Sequence, residues 1–363
     1  MEITTISDFK LKLLEGIQNK TLPEYVYSYP PKRAFRKFEK PLLASDIWNK
    51  DVKELNLYIH IPFCTSRCSF CTLFACTNYS ESYLESYVSQ ICRQISFYGQ
   101  HLPNAVIRTI YFGGGTPSLL SKSALSKIFA SIKNSFKAMA ADIEITIEGT
   151  PESYTAEKLD DLSTIGINRI SVGIQSFSEK ELRLTGRCTK PEDLKQTISN
   201  IAKRFNKFNL DLIYGLAGQT RTSWFDSINQ ALAYKPSILS LYPVVLRPQA
   251  SMTNLCNKED QAFLSNQEKY DIYDETVNML ASKNYKQHSF TRFSLSEESS
   301  YLQETLDFQG MPLLGIGVGA RSYNGKFHYD WGYSPSVKKA HDMIDVFLST
   351  VYDEGHKITS IMS

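Results

Sequence analysis

Cys64, Cys68 and Cys71 stand in a C-x3-C-x2-C spacing directly after an apolar run, reading LYIHIPFCTSRCSFC over residues 57–71. Three thiolates this close in sequence can each hold one iron of a four-iron–four-sulfur cluster, a group that normally takes four cysteines. The fourth iron then stays open to a ligand. Two other uses of the thiols compete. A structural zinc site favours C-x2-C pairs and needs a fourth ligand, Cys76 or His60 here, and C-x3-C is unusual spacing for it. A disulfide framework fits worse, because seven cysteines is an odd number and no secretory signal precedes them.

The other residues able to do chemistry fall at the ends of apolar runs. Tyr58 and His60 alternate with Leu57, Ile59 and Ile61, so they share one face of a strand. Tyr58 reads either as a site residue or as a core tyrosine, and His60 as core filling. The run ending in YFGGGTPS brings Gly113, Gly114 and Gly115, which let backbone approach a ligand closely, then Thr116 and Pro117, which read as a helix cap and first turn. No phosphate-loop or dinucleotide fingerprint accompanies these glycines. Glu148 closes the run IEITIE, where a carboxylate can accept two ribose hydroxyls or form a strand-end salt bridge. Gln175 ends the next run, Arg187 follows in LTGRC with a guanidinium suited to a carboxylate, and Asp211 lies within the apolar FNLDLIY, where an acid is costly without a partner. Gly315, Gly317 and Gly319 in PLLGIGVGARSYNG alternate with apolar residues, as in a second close-approach site or a tightly packed strand.

Positioning these residues requires a scaffold. Strand-like runs at 55–61, 106–112, 143–148, 168–174, 208–213 and 238–244 interleave with helix-like segments near 80–99, 121–136, 155–165, 191–206 and 222–234. Such alternation argues for parallel strands with helical crossovers, either doubly wound or barrel. The polar residues cluster at strand C-terminal ends, which favours an α/β barrel. Residues 1–50 read as an N-terminal arm, with a helix over Ile6–Asn19 and extended chain over Tyr25–Phe38. Residues 51–245 read as the barrel, and 246–363 as an α+β extension closing the site, with helices from Gln267 to Asn284 and from Ser334 to Val351. The 363 residues carry 40 basic and 38 acidic side chains, so no global field selects nucleic acid or an anionic membrane. The basic cluster Lys32, Arg33, Arg36 and Lys37 reads as a solvated loop. No apolar run reaches membrane-spanning length. Reduced thiols and the absence of a signal place the expected protein in the cytoplasm.

The YIHIPFC and SFC flanks of the cysteines resemble the radical S-adenosylmethionine (SAM) superfamily, specifically its oxygen-independent coproporphyrinogen III dehydrogenase-like branch. The resemblance covers residues 25–350. It implies a partial (βα)6 TIM barrel, in agreement with the strand count, a [4Fe-4S] cluster, SAM, a small-molecule substrate, and an electron donor such as flavodoxin or ferredoxin. It places Tyr58 near cluster and SAM, the Phe70 backbone at adenine, and Gly113–Gly115 with Thr116 at the SAM amino group. Glu148, Gln175, Arg187 and Asp211 are placed around SAM. Thr189 stands where many relatives carry His or Gln. The Gly315–Gly319 segment resembles one that lies beside a second SAM in members using two. The YPPKRAF leader, the missing H-N-x-x-Y-W element in SSYLQETLDFQG, and the chain's ending without a further domain are read as marks of the alkyl-transferring branch. The expectation is therefore methyl or methylene transfer to a carbon centre, including cyclopropanation. Oxidation or opening of a tetrapyrrole and a haem chaperone are the alternatives.

Overall fold

The structure, a computed structural model, describes residues 36–362 apart from 188, 247–249, 256–262, 298–300 and 331–336. The expected helix over 6–19, most of the extended stretch over 25–38, and Cys188 and Cys256 lie outside the described residues. Thirteen described strands form one sheet. Its heart is six parallel strands, β2 (Glu54–Ile61), β3 (Val106–Gly114), β4 (Ala138–Gly149), β5 (Arg169–Gln175), β6 (Lys207–Tyr214) and β7 (Ile238–Pro243). Helices α1 (Glu81–His101), α2 (Lys122–Ser135), α3 (Ala156–Thr164), α5 (Pro191–Arg204) and α6 (Arg221–Leu232) carry the crossovers, as the partial TIM barrel requires. A short helix, α4 (Glu179–Leu184), precedes α5 and has no counterpart in the periodicity reading.

The helix starts follow from their caps. Ser80, Ser121, Thr155 and Thr220 each accept a backbone N–H of the first turn, at Tyr83, Ala124, Lys158 and Ser223. Thr116 does not cap α2. It precedes a single 3-10 turn, Pro117–Leu119, and the helix begins six residues later.

Strand alternation divides core from lumen. Leu57, Ile59, Ile110, Phe112, Ile145, Ile147, Ile170, Val172, Leu210 and Leu212 are fully or nearly fully buried in one hydrophobic cluster with the helices. The opposite face is polar and hydrogen-bonded across the barrel: Asn209 donates to Ser171 Oγ at 2.9 Å, and Ser240 Oγ donates to Asn209 at 2.9 Å. Burying these groups is tolerated because each has partners.

The remaining strands extend the sheet on both sides. After β7 come α7 (Asn266–Ser282) and the antiparallel hairpin β8 (Lys286–Gln287) and β9 (Arg292–Ser294), which adds to β7. Helix α8 (Leu302–Phe308) then enters the barrel's foot, where Asn56 Nδ2 donates to Asp307 at 2.7 Å and Thr109 Oγ1 donates to Gln303 at 3.0 Å. The glycine segment opens as β10 (Leu313–Ile316), parallel to β2 with Gly315 opposite Tyr58. Strands β11 (Arg321–Tyr323), β12 (His328–Asp330) and β13 (Lys357–Met362) follow, and β13 pairs with β1 (Arg36–Leu43). Helix α9 (Val337–Ser349) lies against α1. No helix of the described residues is long and apolar enough to cross a membrane.

Candidate active site at the barrel mouth

The cysteine loop leaves β2 and is stitched at its base. Cys64 N donates to Cys76 O at 3.0 Å and Cys76 N to Pro62 O at 2.6 Å. Its tip is held from the far side of the barrel, where Ser69 N donates to Thr185 O at 2.9 Å and Ser69 Oγ to Leu184 O at 2.7 Å. Burial pushes the Cys64 thiol up to about 12, opposed by the Thr116 hydroxyl and raised further by the neighbouring Cys71 and Cys68. Burial raises Cys71 as well, while Arg187 favours the thiolate at both. Cys64 and Cys71 therefore share one low-dielectric pocket with a guanidinium beside it, and iron replacing their protons would remove the cost of charging them. Among the described residues no three metal-ligating side chains converge on a single ion. Thiolates that serve three separate irons do not need to.

The fourth-cysteine alternative separates clearly. Cys76 is buried with its Sγ 3.4 Å from His341 Nε2 on α9, away from the pocket.

The glycine loop packs directly against this pocket. A Cβ on Gly115 would lie 2.9 Å from Cys64 Sγ and 2.6 Å from Phe63 O, so only glycine fits there. Thr116 Oγ1 donates to Cys64 Sγ at 3.4 Å, which makes it a thiol partner. Gly114 has φ +117, and its missing Cβ makes room for the His60 ring. His60 is buried, its carbonyl accepts from Tyr87, and burial lowers its imidazole to about 4. It is a neutral core residue wedged between the two glycine segments, as the strand pattern indicates. Tyr58 Oη lies 3.0 Å from His60 Nδ1, and its ring stacks on Tyr111 with centroids 6.0 Å apart.

Glu148 faces the same mouth. Tyr111 Oη donates to its Oε1 at 2.6 Å and Gly114 N to its Oε2 at 3.0 Å. Burial pushes this carboxyl up to about 7, with Tyr111 and the Gly114 amide pulling it down and Asp211 pushing it up. Asp211 sits lower in the lumen, bonded by Asn209 Nδ2 at 2.6 Å and Ser171 Oγ at 3.4 Å, and burial raises its carboxyl too. Its partners are neutral donors. Gln175 ends β5 with φ 67, and its amide folds over Gly173, lying 2.6 Å from where a Cβ would be. The Arg187 guanidinium donates to the Gly173 carbonyl, and its Nε is buried without a partner. Thr189 Oγ1 is likewise buried and partnerless. Phe70 packs with Ile213, Leu216 and Val244 in a small apolar cluster on the β6–β7 side of the mouth.

The second glycine segment is not one uniform strand. Gly315 is strand-paired, whereas Gly317 and Gly319 have φ of +94 and +86. Helix α1 holds it: Gly317 N donates to Gln94 Oε1 at 2.8 Å and Val318 N to Tyr87 Oη at 3.0 Å. Residue periodicity gave no sign of Tyr111, Tyr87 or Gln94, whose roles depend on contacts distant in sequence.

A barrel mouth carrying three thiols, a thiol-packed glycine loop and a rim of acid, amide and guanidinium groups is fit to hold an iron–sulfur cluster and a small polar ligand. Comparison with known proteins carries this further. The radical SAM superfamily profile matches residues 58–231. The haem chaperone HemW of Synechocystis sp. is 32% identical over 73% of this chain and 65% of its own length. HemW of Escherichia coli is 30% identical over 73% of this chain and 69% of its own. The oxygen-independent coproporphyrinogen III oxidase of E. coli is 28% identical over 88% of this chain and 72% of its own. The solved structure of that bacterium's coproporphyrinogen III oxidase, HemN, superposes with a TM-score of 0.77 at 24% identity, covering 97% of this chain and 80% of that one. The chain thus spans about two thirds of the length of the chaperones it matches. It belongs to the radical SAM superfamily, in the family that holds HemW and the oxygen-independent coproporphyrinogen III oxidases, and its cofactors are a [4Fe-4S] cluster and SAM.

These relatives overturn the expected methyl or methylene transfer, since they are chaperones and oxidases of tetrapyrroles. That expectation leaned on a short leader outside the described residues, on a missing motif and on the chain's ending without a further domain. The described part of the segment lacking the motif forms α8, which meets the barrel's foot through Gln303 and Asp307.

Proposed function

We propose that this protein oxidises a reduced tetrapyrrole of the coproporphyrinogen type with radical SAM chemistry. What supports the reading most is the gathering of the cysteine loop, the glycine loop, Glu148, Gln175 and Arg187 at one mouth, together with an oxidase relative matching 88% of the chain. Cys64, Cys68 and Cys71 would hold the cluster. Gly113–Gly115, Glu148, Gln175, Arg187 and Asp211 would bind and orient SAM, with Phe70 beside its adenine and Tyr58 at the lumen wall. Bound there, the cluster supplies the electron that cleaves a carbon–sulfur bond of SAM. The barrel orients the reacting groups and excludes water, and residues 246–363 complete the wall. An external one-electron donor of the flavodoxin or ferredoxin kind serves the cluster. A haem chaperone is the second reading, favoured by the higher identity to HemW.

Anaerobically reconstituted protein given coproporphyrinogen III, SAM and a reductant is expected to yield an oxidised tetrapyrrole with matching 5′-deoxyadenosine. Tight haem binding with no change in tetrapyrrole mass would replace this reading by the chaperone.

Glu148 makes the SAM interaction pH-dependent. With its carboxyl near 7, half of the sites carry a proton at neutral pH. Hydroxyl and amino donors bind the ionised form better, so SAM affinity is expected to rise between about pH 6 and about pH 8. Glu148→Gln should bind weakly with a flat profile. An unchanged, rising profile in that variant would remove Glu148 from the SAM site.

A further inference from the structure

Glu181 on α4 is 1% exposed, and no cation among the described residues pairs with it. Its carboxylate is instead filled by neutral donors: Ser176 Oγ at 2.7 Å and Gln219 Nε2 at 2.9 Å on one oxygen, Ser223 Oγ at 2.5 Å on the other. These donors come from three places. Ser176 directly follows Gln175 at the end of β5. Gln219 accepts from Gly215 N at 2.6 Å and so shapes the turn after β6. Ser223 belongs to the first turn of α6. One buried carboxylate thus ties together the two rim turns that follow β5 and β6.

The turn after β5 is the strained one. Gln175, Lys235 and Asn284 are the non-glycine residues with positive φ among those described, and Lys235 and Asn284 lie just beyond helix ends. Gln175 instead closes a strand, beside a register shift against β6 between Gly173 and Gln175. A left-handed glutamine is unfavourable and persists only where its surroundings fix it. Ser176 supplies the fixing, since its hydroxyl donates to Glu181 and accepts from Ser178 N at 2.9 Å. In this conformation the Gln175 amide lies over Gly173, whose carbonyl the Arg187 guanidinium holds.

We infer that Glu181 is a positioning residue for SAM, acting through Ser176 to hold Gln175 in its left-handed conformation beside Arg187. This rests on the reading of Gln175 and Arg187 as SAM-holding residues. Glu181, its carboxylate filled by Ser176, Gln219 and Ser223, acts from behind the rim.

Two serine variants test it, because each removes one hydrogen bond from the same carboxylate on opposite sides. SAM affinity is measured by equilibrium dialysis on the cluster-reconstituted full chain, alongside the thermal midpoint. Ser176→Ala is expected to weaken SAM binding about tenfold, the equivalent of one charge-assisted hydrogen bond. Ser223→Ala should lower the midpoint comparably yet leave the affinity within about twofold, since only the α6 side is freed. Equal affinity losses in both variants, or none in Ser176→Ala, overturn the inference. Gln175→Ala separates the two levels of the argument. If it binds SAM like the unsubstituted protein, the assignment of Gln175 itself fails and the role of Glu181 falls with it. If it binds weakly while Ser176→Ala binds normally, only the Glu181 inference is lost.

Discussion

Cys68→Ala is expected to leave the anaerobically reconstituted protein without its four-iron cluster and without SAM cleavage, while Cys76→Ala keeps both. Removing one of three ligands takes away a thiolate that nothing else in the pocket can replace. Cys76 is the nearest spare thiol in sequence, five residues after Cys71, yet its side chain points to His341. What Cys76 gives the loop is backbone: its carbonyl accepts from Cys64 N and its N–H donates to Pro62. Alanine preserves both bonds. Iron content and the visible absorption of the cluster are the measurements, and loss of iron in Cys76→Ala would mean four protein ligands and no open iron for SAM.

The parts of this protein readable from sequence are those set by local pattern. Six parallel strands appear within a few residues of the expected runs, apart from the longer start of β4, because Leu57–Ile59 or Ile145–Ile147 alternate with polar partners at the strand period. The helices start close to their expected residues because Ser and Thr caps sit in front of amphipathic segments. Glu148 and Gln175 were legible as strand-end residues, because strand ends in such a scaffold face one side. What was not legible depends on partners far away in the chain. Nothing near Glu181 announces that Gln219 and Ser223, some forty residues on, complete its shell. Thr116 looked like a helix cap by its neighbour Pro117, whereas its hydroxyl is spent on Cys64. The reaction itself was misread for a related reason. A missing H-N-x-x-Y-W element, a short leader and the chain's ending are weak guides to chemistry, and the described part of the SSYLQETLDFQG stretch, α8, packs at the barrel's foot.

That foot should be the most sensitive structural point away from the cysteines. Arg169 Nε lies 3.0 Å from Glu144 Oε2, with side chains 0% and 4% exposed, and Glu144 Oε1 accepts from Leu302 N at 3.0 Å. The carboxylate therefore serves a guanidinium and the first turn of α8 together, a placement that also suits the helix dipole. Tyr301, just before α8, lies under the Arg169 guanidinium at 4.7 Å from its ring centroid and reaches Tyr111 across the lumen, with ring centroids 6.1 Å apart. Tyr111 in turn holds Glu148, so the foot and the mouth share one stack of side chains. Glu144→Leu would take from the buried Arg169 guanidinium its carboxylate partner and free the start of α8. The expected loss is about 3–5 kcal/mol of unfolding free energy, the usual result of breaking one side of a buried pair. The double variant Glu144→Leu, Arg169→Met should recover much of that loss, because an apolar pair of similar volume leaves no buried charge facing a missing carboxylate. Urea titration of the cluster-free chain measures both. A single-variant loss below about 1 kcal/mol would place the pair among contacts of the surface kind and leave α8 held by its bonds to Asn56, Thr109 and Arg292. A double variant as damaged as the single would show instead that the lost bond to Leu302 N, and not the loss of the ion pair, dominates the foot.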